Sequence, residues 1–244
     1  MQGGRPQSGV VNHAMKNKLN YIFQKTLDVV NFYGIGSLFV VARYFQFTYF
    51  GIVRKDSLKL TKVYGFDMLI PTDNDGIGRA LYVHQGRELD HKWILDQVLH
   101  AGDIILDLGA NIGYYVLLEA HILKNNCKIL AIEPDPRNAR VLKENVRNAR
   151  LEGVVAFEEC AISNYTGKAC FELAAKTNLS KISEFSAAGL SASQAEVKVY
   201  DFAKYSVAQQ KINLMRMDIE GGEVNIFSFS SLLSAFKHTA SEVR

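Results

Sequence analysis

Short apolar runs alternate with stretches of helical periodicity along the second half of the chain. The first run, residues 103–108, has the apolar character of a buried strand, and a helical pattern over Tyr114 to about Lys124 follows it directly. A second run, residues 128–132, precedes a helix with Asp135 as N-cap and Pro136 at its first position. This alternation predicts the α/β class, with a parallel sheet and helices on both faces.

Later segments add further strands and one stretch without periodicity. The strands predicted after the second helix cover residues 154–161, 168–173, 196–200 and 211–217, the last being the fourth core strand of the sheet. Residues 174–195 are rich in Ser and Ala and lack periodicity. We therefore predict a flexible loop there, which acts as a lid or as a specificity element.

The N-terminal part differs from the part that forms the sheet. Residues 1–13 are mostly polar and predict a disordered leader, and residues 14–57 predict a helical appendage. The main domain spans residues 58–244 and opens with a hairpin around Gly65, followed by a helix over residues 90–100. One face of that helix carries Trp93, Ile94, Gln97 and Val98.

The aromatic-rich stretch from Leu38 to Val53 allows two interpretations. Its only charged residue is Arg43, but the uncharged run over residues 29–42 is shorter than the ~20 residues that a membrane-spanning helix needs. We favour a pair of helices that cap the main domain or cover its substrate entrance. Peripheral membrane contact through residues 29–53 is the alternative.

Composition narrows the classes of function. A formal net charge of +3 is too small to indicate nucleic-acid binding. The three cysteines, Cys127, Cys160 and Cys170, lack metal-ligand spacing and indicate core packing in a reducing compartment. The first dozen residues lack the apolar segment of a secretory signal, so we expect a cytoplasmic protein, with membrane association only through the aromatic stretch.

The candidate chemistry centres on the loop between the first core strand and its helix. The loop pattern is D-x-G-x-N-x-G, formed by Asp107, Gly109, Asn111 and Gly113, and Glu133 follows at the tip of the second strand. An acid there is placed to accept hydrogen bonds from both hydroxyls of a ribose. Glycines allow a ligand close to the backbone, whereas Asp107 would repel a pyrophosphate and attract an ammonium. These residues favour S-adenosylmethionine (SAM) over NAD.

Three motifs together resemble the FkbM family of SAM-dependent methyltransferases. The glycine loop resembles motif I of class I SAM-dependent methyltransferases, and the other motifs are A-I-E-P-D-P at residues 131–136 and M-D-I-E-G-G-E at residues 217–223. The resemblance runs from about Val63 to the end of the chain. It implies a Rossmann-like class I sheet, SAM as the cofactor, and O-methylation of a hydroxyl on a sugar, a glycan or a small metabolite.

The residues and the resemblance together give a predicted cofactor site. Gly86-Arg87-Glu88 resembles the G-x-E that precedes the family's glycine loop, which implies a role for Glu88 in the SAM pocket. The alternative for Glu88 is an acid stabilised at a helix N-terminus. Residues at the end of the third strand should flank the adenine. The predicted cofactor-binding residues are Glu88, Asp107, Gly109, Ala110, Asn111, Gly113, Glu133, Pro134, Cys160, Ala161 and Asp218.

Asp218 and Glu220, after the fourth core strand, are the predicted catalytic residues. Side chains two positions apart on a strand point the same way. One carboxylate would hold the SAM ammonium, and the other, or Glu223, would take the hydroxyl proton. Helix capping is the alternative for Glu220 and Glu223. Arg216 stands where the family usually has lysine, and no third ligand for a metal is evident beside Asp218 and Glu220.

Two further alternatives concern function and completeness. A Rossmann-type NAD(P) enzyme or a non-catalytic nucleotide-binding module is the competing function, against which Asn111 and the motif at Asp218 argue. Residues 239–244 look like the beginning of a fifth strand. Complete class I folds continue beyond that strand, so we expect either a fragment or an unusually short member.

Overall fold

The computed structural model describes residues 37–53, 58–72, 76–172, 181–183, 194–202 and 212–219. Several sequence predictions lie outside the described residues: the leader, the helical pattern over residues 14–36, the role of Glu220, the helix that follows it, and the strand at residues 239–244.

The described residues form five helices and ten strands. The helices are α1 (Ser37–Val53), α2 (Ile77–His84), α3 (Leu89–Val98), α4 (Tyr114–Ile122) and α5 (Pro136–Asn148). The strands are β1 (Leu58–Val63), β2 (Phe66–Pro71), β3 (Ile104–Leu108), β4 (Lys128–Ile132), β5 (Val155–Glu158), β6 (Ala161–Ser163), β7 (Gly167–Glu172), β8 (Lys181–Ser183), β9 (Gln194–Asp201) and β10 (Leu214–Met217).

The central sheet has four parallel strands in the order β10-β3-β4-β5. Counted along the chain, this is the 3-2-1-4 order of a Rossmann half, so the predicted α/β class and Rossmann-like sheet are confirmed. Ile105 and Ile129 face the core that contains α4 and α5, whereas Leu106 and Leu108 pack in a second core on the other face. Burial of both faces explains the apolar character of β3.

A second sheet, in the order β6-β9-β7-β8, departs from the sequence prediction in two ways. The predicted strand 154–161 is divided at Glu159 and Cys160: β5 stays in the central sheet, while β6 pairs with β9. The predicted flexible loop 174–195 contains β8 and the first residues of β9. The three-residue β8 pairs with β7, and Ile182 lies opposite Phe171. Three residues are too few to show the alternation of a strand in the sequence.

The predicted hairpin is confirmed as β1 and β2, and a buried amide attaches it to the nucleotide loop. Its two-residue turn uses Tyr64 and Gly65, both with positive φ. The Asn145 side chain, which is fully buried on α5, accepts a 2.7 Å hydrogen bond from the Leu69 amide and donates to the Leu69 carbonyl. It also donates to the Ile112 carbonyl at 2.8 Å. One side chain therefore joins α5, β2 and the loop after β3.

The helices before β3 are arranged differently from the prediction. In α3 the buried apolar residue is Leu95, whereas Trp93, Ile94 and Val98 on the predicted face are exposed, Trp93 by 65%. The sequence analysis did not predict α2, whose Tyr82 ring packs on Phe47 of α1 at 5.5 Å. Within the described residues, no helix has the length and apolar character to cross a membrane. Peripheral contact through residues 29–53 stays a prediction.

Replacement of Asn145 by alanine should destabilise the fold strongly. It would leave the Leu69 amide and two carbonyls buried without partners, which should lower the free energy of unfolding by about 2–4 kcal/mol. Asn148→Ala, at an exposed position of the same helix, is the matched control and should change stability by less than about 0.5 kcal/mol. Urea denaturation followed by circular dichroism measures both. Equal midpoints for the two variants would contradict the role assigned to Asn145.

Candidate functional site

A cleft of about 230 Å³ opens at the carboxyl ends of the central strands, where ligands of open α/β sheets bind. The loops after β3 and β4, the end of β10 and the connector between α2 and α3 supply its walls. The lining residues are Ile77, Arg87, Glu88, Leu108, Gly109, Ala110, Asn111, Tyr114, Tyr115, Ile132, Glu133, Pro134, Asn138, Cys160, Ala161, Ile162, Phe171, Arg216, Asp218 and Ile219.

The two loop glycines have positive φ and lie close to the protein's own atoms. Gly109 has φ +80°, and a Cβ there would lie 2.0 Å from the carbonyl oxygen of Asp218. Gly113 has φ +88°, and a Cβ there would lie 2.6 Å from Cδ1 of Leu142. Gly109 lines the cleft and Gly113 does not. Both glycines were predicted to allow close approach of a ligand, and the protein atoms nearest to an added Cβ belong to Asp218, directly after β10, and to Leu142 of α5.

Glu133 joins the two loops beneath the cleft. Its carboxylate is 5% exposed and accepts hydrogen bonds from the Asn111 amide at 2.7 Å and the Asp135 amide at 2.9 Å. Burial raises the pKa of Glu133 to about 7, which the two amide hydrogen bonds oppose. The Asn138 side chain is a third hydrogen-bond donor to this carboxylate. The predicted ribose acceptor therefore lies in the cleft and keeps part of its accepting capacity for a ligand.

Asp107 lies behind the cleft, where it pairs with Arg216. It is fully buried and is not among the lining residues. Its Oδ1 accepts a 2.7 Å hydrogen bond from Arg216 Nε because the two residues are register neighbours on β3 and β10. Burial raises the pKa of Asp107 and the Arg216 guanidinium opposes that shift. The carboxylate that was predicted to attract an ammonium thus has a cationic partner already.

Arg216 connects this buried acid to the cleft. Nη2 donates to the Gly109 carbonyl at 3.0 Å, and the guanidinium lies 4.2 Å from the centroid of the Tyr115 ring. Nη1 lies 3.6 Å from Oδ2 of Asp218. The planar guanidinium makes all these contacts at once.

Besides Asp107, a second buried acid, Glu119 on α4, lies near Arg216. Glu119 is fully buried, and within the described part of the chain its carboxyl oxygens have no hydrogen-bond partner. Burial, and next the Asp107 charge, raise the pKa of Glu119 well above its usual value. No sequence signal indicates Glu119 as a site residue, because its position is that of an ordinary helix residue.

The far end of the cleft is mostly apolar. Cys160 and Ala161, predicted to flank the adenine, line it together with Pro134, and so does Phe171, which the prediction missed. Burial raises the pKa of the Cys160 thiol to about 12, so the group is neutral. All three cysteines are free and buried, as the core-packing prediction requires. An apolar, uncharged wall of this kind suits a flat heterocyclic base.

The near end of the cleft is polar and includes residues that the sequence analysis did not single out. Asp218 lines it with a side chain that is 63% exposed. Glu88 lines it too, and Tyr115 donates a short hydrogen bond to Oε2 of Glu88. Tyr114 and Tyr115 follow Gly113 directly. In the sequence these two tyrosines look like the first turn of a buried helix. Only the tertiary structure shows that they line the cleft.

The family described as "Methyltransferase FkbM domain" matches residues 107–238. A curated relative, "31-O-demethyl-FK506 methyltransferase FkbM" from Streptomyces tacrolimicus, is 36% identical over 91 residues, which are 37% of this chain and 34% of that relative. The matched segment therefore spans about a third of that relative's length.

Among solved structures, TYW2 of P. horikoshii in complex with MeSAdo aligns at 20% identity and a TM-score of 0.36, over 44% of this chain and 37% of that one. TYW2 of M. jannaschii in complex with AdoMet aligns at 18% identity and a TM-score of 0.35, over 46% and 53%.

Replacement of Gly109 by alanine should cost far more stability than positive φ alone explains. A Cβ would lie 2.0 Å from the backbone carbonyl oxygen of Asp218, directly after β10, so the two loops must separate. We expect a loss of about 3–5 kcal/mol in the free energy of unfolding. Gly102→Ala is the matched control, since Gly102 has φ +91° but nothing within 4 Å of a Cβ. It should lose about 1 kcal/mol. Equal losses in urea denaturation would remove the packing explanation.

Proposed function

The chain belongs to the FkbM methyltransferase family, and from that premise we propose that it is a SAM-dependent methyltransferase that acts on a hydroxyl oxygen. The observation that carries the proposal is Glu133: a buried carboxylate in the cleft, hydrogen-bonded to the glycine loop and open to a ribose. The acceptor that we propose is a hydroxyl of a sugar, a glycan or a small metabolite. The name of the curated relative, a methyltransferase of an O-demethyl compound, supports oxygen as the acceptor atom.

The charges that line the cleft suit SAM better than a dinucleotide. Among the described residues, the acids that line it are Glu88, Glu133 and Asp218, and the cations, Arg87 and Arg216, are each close to a carboxylate. A pyrophosphate would meet mostly acidic side chains there, whereas SAM carries an ammonium, a sulfonium and a ribose. This arrangement disfavours the alternative of an NAD(P) enzyme.

The cleft gives the proposed cofactor one orientation. Glu133 would bind the ribose, and Cys160, Ala161 and Phe171 would pack around the adenine. The methionine part would then extend over β3 and β10 toward Tyr115 and Asp218. When bound, SAM supplies an electrophilic methyl group on a cationic sulfur.

The protein's own contribution is positioning and proton removal. We assign Asp218 to the SAM ammonium, because its exposed carboxylate lies directly after β10 at the near end of the cleft. The proposed base is Glu220, two positions further on, which the sequence places beside Asp218 but which lies outside the described residues. A base in this position typically contributes about 10²–10⁴ in rate.

The proposed cofactor site is tested by binding of S-adenosylhomocysteine (SAH) to wild type and Glu133→Ala. Loss of the carboxylate removes charge-assisted hydrogen bonds to the ribose of about 1.5–3 kcal/mol each, so affinity should fall at least tenfold. Glu152→Ala, an exposed position, is the control and should bind as wild type does. NAD and NADP should not bind. Calorimetry with unchanged SAH affinity in a folded Glu133→Ala variant would contradict the assignment.

Binding of SAH should also depend on pH. The pKa of Glu133 is raised to about 7, and the ionised carboxylate is the form that accepts two ribose hydrogen bonds. Below pH 7 the free protein must lose a proton to bind, so affinity should fall about tenfold from pH 8 to pH 6. Glu133→Ala should lose this dependence. A flat profile in wild type would show that the ribose does not require the charge.

Methyl transfer is tested with labelled SAM against a panel of sugars, glycolipids and polyols. Glu220→Gln should keep SAM binding and lose about 10²–10⁴ in turnover, because it retains shape but cannot take the proton. Asp218→Asn should instead weaken SAM binding. Glu152→Gln is the control for loss of a surface charge. Wild-type transfer in both site variants would remove these carboxylates from the mechanism.

A further inference from the structure

The connector between α2 and α3 is fixed in an unusual conformation next to the cleft. Gln85 and Glu88, both non-glycine residues, have positive φ of 55° and 53°. Such a conformation is unfavourable for residues with a Cβ and persists only where the surroundings hold it. Here the carbonyl of Arg87 accepts hydrogen bonds from Tyr64 at 2.8 Å and Tyr114 at 2.6 Å, and the Tyr64 amide donates to the Gln85 carbonyl.

The connector also lies close to the Tyr64 ring. A Cβ at Gly86 would lie 2.7 Å from that ring, so the backbone and the aromatic side chain are in direct contact. The strain at Glu88 is thus held by the hairpin on one side and by α4 on the other. Its effect is to fix the direction in which the Glu88 side chain leaves the backbone.

The Glu88 carboxylate is held by side chains and does not cap its own helix. Glu88 is the N-cap of α3, yet its side chain makes no hydrogen bond to the first turn. Instead Oε1 accepts a 2.6 Å hydrogen bond from Arg87 Nε, and Oε2 accepts a hydrogen bond from the Tyr115 hydroxyl. His91 Nδ1 lies 2.7 Å from the same hydroxyl oxygen. The carboxylate is therefore held by side-chain contacts, and stabilisation of its charge by the helix N-terminus stays the alternative for this acid.

Tyr115 fixes this carboxylate relative to the cleft floor. Its ring carries the Arg216 guanidinium on one face, and its hydroxyl binds Glu88. Glu88, Tyr115 and Arg216 all line the cleft. They lie at the polar end, away from Cys160 and Ala161.

The orientation set by Glu133 brings the sulfur of SAM toward this end, since the sulfur is bonded to the carbon next to the ribose ring. We propose, on the basis of the proposed function, that the Glu88 carboxylate faces the sulfonium and makes the chain prefer SAM to its product SAH. Tyr115 is the positioning residue that holds Glu88 there. SAM and SAH share adenine, ribose, ammonium and carboxylate, so only a residue near the sulfur can distinguish them by charge. Such a preference would let SAM displace the product after each transfer.

The test compares SAM and SAH affinities by calorimetry in the full chain, without an acceptor. Glu88→Gln keeps the shape of the side chain and removes its charge. It should weaken SAM about tenfold and change SAH by less than about twofold. Tyr115→Phe keeps the ring under Arg216 and removes the hydroxyl. It should lower the ratio of SAM affinity to SAH affinity by about threefold. This second variant keeps the test open if Glu88→Gln fails to fold.

Two controls separate this contact from general effects. Glu133→Ala should weaken SAM and SAH equally, because both carry the ribose. Asp90→Asn removes an exposed charge from the first turn of α3 and should leave both affinities unchanged. Equal weakening of SAM and SAH in Glu88→Gln, or no change in either, would overturn the inference. A wild-type chain that bound neither compound would instead overturn the proposed function, and this inference with it.

Discussion

The buried ion pair between Asp107 and Arg216 is the interaction on which the site depends. The two residues are neighbours on β3 and β10, and each would be a costly isolated charge in the interior without the other. Loss of one partner of such a pair typically costs about 3–5 kcal/mol. The same guanidinium binds the Gly109 carbonyl and stacks on Tyr115. Strand pairing, loop position and side-chain orientation are therefore coupled through one residue.

Two further polar side chains extend this coupling through the cleft walls. Asn145 joins the hairpin and α5 to the loop after β3, and Glu133 joins that loop to the one after β4. Each is buried, and each bonds mainly to backbone groups that no strand or helix ladder satisfies. The loops are thus fixed by the core without a ligand, which is the preorganisation that the proposed methyl transfer would need.

The sequence prediction succeeded where a pattern is local. Periodicity and the N-cap at Asp135 located β3, α4, β4 and α5 closely, and the two-residue turn at Gly65 located the hairpin. The prediction was wrong where the pairing of strands determines the structure. Residues 154–161 form strands of two sheets, and β8 lies inside the predicted loop. A three-residue strand carries almost no periodic signal, since its hydrogen bonds come from a partner strand distant in sequence.

The sequence by itself determined the class of the fold, the loop with its glycines and the acid of the second strand, because residue type and spacing carry those constraints directly. The tertiary structure alone decided which residues the side chains of the site contact. It paired Asp107 with Arg216 instead of leaving it to a ligand, explained Gly109 by the approach of β10, and brought Tyr115 to Glu88. Those contacts join residues from 27 to 109 positions apart. Chain spacing does not encode distances of that kind, which arise only when separate elements pack.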